Sequence, residues 1–574
     1  MHLVDARRLT GPTHLSRHPL VVVEIGLADG ESLDAAITAY RHELDRMRGA
    51  LGADPGVELL VRPHRGGAII AYSTPIDVML AWAEASEWAG ESAAEVLAGR
   101  GALSLEPKRS DVADILARDT SPQLLALAIE AKRRGVPLLW DDEIVSIGTG
   151  RGAIAYPRLA LPQVAEVAWG AASAIPVALV TGTNGKTTSS RLLAGMAREA
   201  GKRVALASTD GIAIGDETLE QGDWTGPTAA RIALRRTDVD LAVLETARGG
   251  ILRRGLAVDT CDAALITNVS ADHLGLYGID DVAGMANVKA VVLHAVRPGG
   301  TAVLNAHDPL LVVLAAELTC EVTFFADLDG PADATARATI EAVLAGGGCA
   351  VVAEGGAIVA LQGEQRTELL RVDEVPITFG GSARYNVQNV LGAVAMARAL
   401  DLPAAAIAAG LRSFGMKDNP GRGQVVVRGG VTVVLDFGHN AEGVRAVLGF
   451  VDSLRGPDGR LWVAAASPGD RTAAEIEAVA RAIHAAAPAR VYVRDLPDYL
   501  RGRAPGEVPA LFERAFTALG LAPDRLTQAT SEVASLEQAF AVARPGDVIA
   551  VFVHLDGEAV HAFLDGLIRE TENR

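Results

Sequence analysis

Several things are scarce in this chain. Cysteine occurs three times in 574 residues, at Cys261, Cys320 and Cys349. The spacing is wide and the number odd, so neither a disulfide framework nor a zinc site is indicated, and all three read as reduced core residues. Basic charge is short as well: 53 Lys and Arg face 71 Asp and Glu, a net charge of −18. That balance argues against a general binder of nucleic acid, whose phosphates are held by clustered Lys and Arg. It is compatible with a cationic substrate and, more simply, with solubility. The N-terminus MHLVDARRLTGPTHLSRHP has no apolar signal core, and no run of about 18 uncharged apolar residues follows, so no membrane association and a cytoplasmic location are expected. Aromatics are only 4%. The hydrophobic share of 49% is carried largely by small and β-branched residues, which suggests helices packed on parallel sheets. The length predicts about three to four domains.

What is present is sharper. Residues 176–189 read PVALVTGTNGKTTS, a short apolar strand breaking into a Gly-rich turn that enters a helical pattern. Backbone N–H groups of such a turn and the following helix N-terminus converge on one spot, and Lys186 adds a full charge where nucleotide phosphates would lie. Thr187 would offer its hydroxyl to magnesium. The spacing is a compact variant of G-x-x-x-x-G-K-[ST], since Val180 stands five before Gly185 and the first glycine is Gly182.

Around this loop, residues 166–425 alternate helices with near-continuous apolar strands, VALVTG, RVALAS, LAVLET, AALITNVS and GTAVLNA, the signature of a doubly wound parallel sheet. Functional residues should then cluster at strand carboxyl ends. Glu245 leaves LAVL beside a Gly pair and is a candidate magnesium ligand; as a bland alternative it is a helix-capping acid. Asn268, Asp272 and His273 follow AALIT. Lys289 sits in MANVKAVVLHA, where a lysine would ordinarily reach out to solvent. The stretch 326–350 reads as an insertion or hairpin. Residues 1–165 form a smaller α/β region with strands at 20–27 and 57–63 and helices near 32–52 and 75–99. Its histidines at 14, 18 and 64 read as solvated surface groups. The region ends in a helix, a strand and a Gly-x-Gly turn within 128–152, a weak motif. Residues 426–574 open with GGVTVVLDFGHN and continue as a third, Rossmann-like domain.

In this order, Thr183-Asn184-Gly185-Lys186-Thr187-Thr188, Glu245, Asp272-His273, Lys289, Tyr385-Asn386-Val387-Gln388-Asn389, the Asn-Pro-Gly-Arg ending at Arg422 and Asp436-Phe437-Gly438-His439-Asn440 resemble the Mur ligases. The resemblance spans about 175–560. It implies a three-domain α/β architecture with a P-loop central parallel sheet and a C-terminal Rossmann-like domain. It also implies ATP and Mg2+ as cofactors, and an amide ligase that activates a carboxylate as an acyl phosphate and couples it to an amino acid amine. Carried over residue by residue, it places Thr183 to Thr188 on ATP, with Lys186 on the β and γ phosphates and Thr187 on one magnesium. Glu245 and His273 fall to a second magnesium, and Lys289 lies near the position of a carbamylated lysine. Lys186, His273 and Lys289 would be catalytic, with Asn389 on adenine and Arg422 and Asp436 on phosphate and ribose. Tyr385 stands where the family commonly has His, and Phe437-Gly438 where it commonly has Tyr-Ala.

Within that family, ETARGGILRRGLA at 245–257, SPGDRTAAEI at 467–476, LRGRAPGEVPAL at 500–511 and PGDVIAVFVH at 545–554 are most similar to the Mur-ligase half of the cyanophycin synthetases. That half joins arginine or lysine to aspartate side chains. A backbone-extending ATP-grasp domain of about 250 residues has no room between 152 and 176. The resemblance therefore implies one ATP site and one ligation, of an amino acid onto a peptide or polymer carboxylate. Substrate contacts would come from Asp470 and Arg471 in one charged turn and from Arg501, Arg503 and Glu507 in another, with mutual ion pairing as the bland alternative. Other acid acceptors, wall-peptide-like or folate-like, and a non-catalytic nucleotide-binding subunit remain as alternatives. Oligomeric state, including a homo-oligomer, is not readable here.

Overall fold

The computed structural model describes residues 1–572, so the last two positions of the expected 426–574 domain lie outside the described residues. The chain forms two compact units, Met1–Phe324 with Gly392–Ala406, and Phe325–Leu391 with Ile407 onward.

The first unit opens with a four-stranded antiparallel sheet in the order His2–Leu9, Leu20–Gly26, Gly67–Tyr72, Leu60–His64. Helices Leu33–Ala50 and Met79–Leu97 cover one face, where Val21, Val23 and Ile25 meet Tyr40, Leu44, Trp82 and Trp88. The intervening Leu20 and Val22 pack on the other face with Leu9 and Ile69. Burial on both faces is why LVVVEIG shows no polar alternation. The strand His2–Leu9 is not evident from the sequence because three of the eight residues of HLVDARRL are charged; Arg7 is buried there, donating from Nε to Leu252 O at 3.1 Å and pairing with Glu24 at 3.2 Å.

The Gly-x-Gly turn at 148–150 is structural. Gly148 and Gly150 have positive φ, and a Cβ on Gly148 would collide with the Gly152 carbonyl. The histidine reading needs correction: His18 is exposed, but both ring nitrogens of His14 and Nε2 of His64 are shielded from water. Cys261 is buried, whereas Cys320 and Cys349 are only half-buried, and none of the three forms a disulfide.

The unit's larger sheet runs Glu217–Gln221, Gly211–Ile214, Val204–Ser208, Leu241–Glu245, Val177–Thr181, Cys261–Ile266, Val296–Asn305. The last five are parallel, and the first two form an antiparallel hairpin edge that the sequence reading lacked. Val177–Thr181 lies near the middle with all five residues buried.

In the second unit, 326–350 is not a hairpin. Asp333 caps a helix Ala334–Ala345 by accepting from the amides of Thr335 and Ala336, and a meander Cys349–Glu354, Ala357–Gln362, Gln365–Arg371 follows. A six-stranded sheet, Gln424–Arg428, Val431–Asp436, Val548–Phe552, Leu461–Ala466, Arg490–Arg494, Leu526–Gln528, is parallel except for its first pair. Apolar clusters cover both faces, as the Rossmann-like reading requires. No helix among the described residues is long and apolar enough to cross a membrane.

Candidate active site

The parallel register places Glu245 opposite Val180, and Ile266 opposite Thr181, so three carboxyl ends open side by side. The loop 182–185 rises between them. Gly182 (φ 148°) is required there, since a Cβ would collide with Thr267 Oγ1. Gly185 (φ 87°) turns the chain into the helix Lys186–Glu199. That helix has no side-chain cap, so its first amides face the loop mouth with the positive end of the helix dipole.

The neighbouring strand end holds the loop in place. Asn268 receives the Thr183 amide on its carbonyl and the Asn184 amide on Oδ1, both at 2.9 Å, and returns Nδ2 to Asn184 O at 3.1 Å. Thr267 Oγ1 donates to Asn184 O at 2.6 Å, and the Ser270 amide donates to Thr183 Oγ1 at 3.0 Å. Lys186 Nζ reaches back to Thr183 O at 3.0 Å. Thr187 and Thr188 are buried in the first turn.

Glu245 is 3% exposed, and its carboxylate accepts from Thr209 Oγ1 at 2.9 Å. It is not a helix cap: Ala247 occupies that position before Arg248–Arg254. His273 (φ 55°) lies 3.9 Å from Asp272, and Arg248 Nη1 donates to its carbonyl at 3.1 Å. Lys289 does not reach solvent. It is 4% exposed, and burial, followed by the charge of Lys186, lowers its amine to a pKa of about 7, with Asp272 acting in the opposite sense and Arg248 in the same one. Lys186, Asp272 and Lys289 are thus electrostatic neighbours. Among the described residues no group of three or more His, Cys, Asp or Glu is gathered to hold a metal unaided. The donors that are present, the Thr187 hydroxyl and the Glu245 carboxylate, suit a magnesium ion, which typically takes one or two carboxylates and completes its shell with phosphate and water. Thr209, Thr267, Arg248 and the clamping role of Asn268 were not assigned from sequence; polar residues immediately after apolar strands were the available signal.

In the second unit, Asp436 ends its strand at 7% exposure and accepts from the Gly423 and Gly438 amides, each at 2.8 Å. Burial raises its carboxyl above the usual range, opposed by Arg422. The Arg422 guanidinium lies 4.3 Å from the centre of the Phe437 ring. Asn389 donates to Asn386 Oδ1 at 3.2 Å, and Asn386 is anchored to Ile377 O at 2.9 Å. Tyr385 is half-buried with its hydroxyl shielded against Gly423, where a Cβ would collide with that hydroxyl.

The two charged turns meet each other. Arg501 pairs with Asp470 and Arg503 with Glu507. Arg503 also donates from Nε to Gly469 O at 2.7 Å and from Nη2 to Arg471 O at 2.9 Å. Arg501 and Arg503 therefore tie the turns together, Glu507 holds Arg503 from within its own turn, and Arg471 is buried at 4% exposure.

Residues 180–397 match the Mur ligase middle domain, and residues 421–553 match the Mur ligase, glutamate ligase domain. This is a Mur-ligase-like protein. Among curated proteins, the Mur-ligase-like chain is similar to the cyanophycin synthetase of Synechocystis sp., 40% identical over 345 residues, 60% of this chain and 38% of the relative. With that of Trichormus variabilis it is 34% identical over 400 residues, 69% of this chain and 43% of the relative. It thus spans about two-fifths of the length of these relatives. Among solved structures, E. coli FolC in complex with DHPP and ADP aligns at 18% identity and a TM-score of 0.49, over 70% of this chain and 89% of that one.

Proposed function

We propose that this Mur-ligase-like chain is an ATP- and magnesium-dependent acid–amino acid ligase that couples an amino acid, in the first instance a basic one, to the side-chain carboxylate of an aspartyl peptide or polymer. The observation that carries the reading is the clamped loop 182–188 at the carboxyl ends of adjacent parallel strands, whose Lys186 acts electrostatically on the buried Lys289. Lys186 and the first-turn amides would bind the β and γ phosphates, holding negative charge where transfer develops it. Thr187 and Glu245, with His273, would hold magnesium, which when bound supplies charge neutralisation of the phosphates. The substrate carboxylate oxygen takes the γ-phosphoryl group and ADP departs. The amine then displaces inorganic phosphate and loses a proton, forming the amide.

Lys289 fits this scheme because burial leaves a large fraction of its amine neutral near pH 7. A neutral amine adds CO2 and releases a proton, giving a carbamate that can serve as an anionic partner to the metal residues. Asn389, Arg422 and Asp436 are assigned to adenine, phosphate and ribose. Asp470, Arg471 and Arg501 are assigned to the amine substrate, with Arg503 and Glu507 framing that turn. The test is a phosphate-release assay crossing amino acids with aspartyl and glutamyl peptides, with mass spectrometry of the product. A basic amino acid joined to an aspartyl side chain is the expected outcome. Coupling only to a different acid removes the substrate assignment, and ATP binding without phosphate release from any pair removes the ligase assignment.

A further inference from the structure

The two edge strands of the first sheet, His2–Leu9 and Leu60–His64, both reach the segment that follows His273. At one edge, the Arg7 guanidinium lies 5.1 Å from the centre of the Tyr277 ring. At the other, the Arg65 amide donates to Asp280 Oδ2 at 3.0 Å, and a Cβ on Gly278 would sit 2.9 Å from the His64 ring. The segment needs such holding. His273 and Tyr277 both have left-handed backbone, with φ of 55° and 56°, a conformation that is costly for residues with a Cβ and persists only where the surroundings impose it. Between them the Gly275 amide donates to Ile279 O at 2.8 Å and the Ile279 amide to Leu276 O at 3.2 Å. These bonds close 275–279 into a compact loop, so a hold on Tyr277 acts on the loop as a whole.

Arg7 reaches His273 by a second route. Its Nε donates to Leu252 O at 3.1 Å, in the helix Arg248–Arg254, and Arg248 at the start of that helix donates from Nη1 to His273 O at 3.1 Å. The chain just beyond the strand is tied to the same helix, the Thr10 amide donating to Arg254 O at 2.7 Å and the Leu256 amide to Pro12 O at 2.9 Å. One guanidinium therefore touches both the helix that holds the His273 carbonyl and the ring of the loop that follows it. Arg7 is itself fixed, at 7% exposure, by ion pairs with Glu24 at 3.2 Å and Asp5 at 3.0 Å. A guanidinium suits both tasks, because its edge donates in plane while its face packs on an aromatic ring.

We propose that Arg7 is a positioning residue for His273, acting through Tyr277 on one side and through Leu252 and Arg248 on the other, and that the first sheet serves the magnesium site in this way. The link to magnesium rests on the ligase reading; the hold on the loop does not.

The test compares wild type, Tyr277→Leu and Tyr277→Phe as full chains by two readouts. The first is hydrogen exchange in peptides covering 270–280, with the strand Leu20–Gly26 as control. The second is Mn2+ affinity in the presence of AMPPNP, read by electron paramagnetic resonance. Expected in Tyr277→Leu is exchange at least about threefold faster over 270–280, with the control strand unchanged, and Mn2+ affinity lowered about three- to tenfold. Tyr277→Phe keeps the ring under Arg7 and should match wild type in both. Unchanged exchange over 270–280 in Tyr277→Leu, equal acceleration in Tyr277→Phe, or acceleration shared by the control strand overturns the positioning role. Faster exchange with unaltered Mn2+ affinity overturns the link to the metal. Wild type that takes up no Mn2+ with AMPPNP removes the magnesium reading itself, while exchange still decides whether Arg7 holds the loop. Should Tyr277→Leu fail to fold, Arg7→Met combined with Glu24→Gln removes the same contact without stranding a buried charge, and must speed exchange over 270–280.

Discussion

Two Gly-containing, charge-bearing turns at strand carboxyl ends, 182–188 in the first unit and 467–471 with 501–507 in the second, solve the same folding problem differently. The first is held mainly by neutral groups, among them Asn268, Thr267 and backbone amides, and the loop's charge is confined to Lys186. The second is held by its own charges, with Arg503 bonded to two carbonyls and paired with Glu507. A charge is available to a ligand where the scaffold does not need it. That principle ranks Lys186 as a binding group and Arg503 as a brace, with Arg501 between them.

The largest expected effect follows from the free charge. Lys186→Ala should lower ATP turnover by about a thousandfold or more while the melting temperature stays within about a degree, as removal of a preorganised phosphate-binding charge predicts. Asn268→Ala tests the neutral clamp. It should cost about 1–3 kcal/mol in urea denaturation and lower kcat about ten- to a hundredfold, since the loop loses both of its ties to the Asn268 side chain. Arg503→Ala tests the brace: a loss of about 1–3 kcal/mol is expected, because it removes two bonds to backbone carbonyls, against less than about 1 kcal/mol for Arg501→Gln, whose more exposed guanidinium pairs, among the described residues, only with Asp470. If instead Arg503→Ala leaves stability unchanged and raises only the KM for the amine, the contrast between the two turns collapses.

A further effect is a pH dependence. The Lys289 amine has a pKa of about 7 in the folded chain against 10.5 ordinarily, so the unfolded chain binds its proton more tightly. The resulting destabilisation is complete below about pH 7 and disappears as pH rises toward 10.5. Relative to Lys289→Met, wild type should therefore gain stability between those limits, read as urea midpoints at neutral and alkaline pH in bicarbonate-free buffer.

The parts of the fold legible in the sequence are those whose cause is local. Apolar strands such as VALVT and LAVLE, and the Gly-Lys-Thr-Thr turn, carry their own pattern, and the strand-end rule then draws Glu245 and His273 toward the loop. Lys289 was legible only through resemblance, since its apolar neighbours equally describe a lysine stretching to solvent. The clamp of Asn268 on Asn184 and the bond from Thr209 to Glu245 depend on which strands become neighbours, a tertiary fact that no single segment contains. The strand His2–Leu9 was hidden for the same reason: its buried Arg7 is explained by Leu252 and Glu24, residues far along the chain or on the next strand.

One such long-range tie has a consequence in time. Thr10 donates its amide to Arg254 O at 2.7 Å, and the Leu256 amide reaches Pro12 O at 2.9 Å, across a separation of 244 residues in the first case. At a synthesis rate of about 5–20 residues per second, the partner of Thr10 emerges roughly ten to fifty seconds after Thr10 itself. During that wait the first sheet must persist on its own core of Val21, Val23, Ile25, Trp82 and Trp88, with its seam to the later strands still open. Until then the backbone groups of Thr10 and Pro12 that these bonds satisfy are open to other partners.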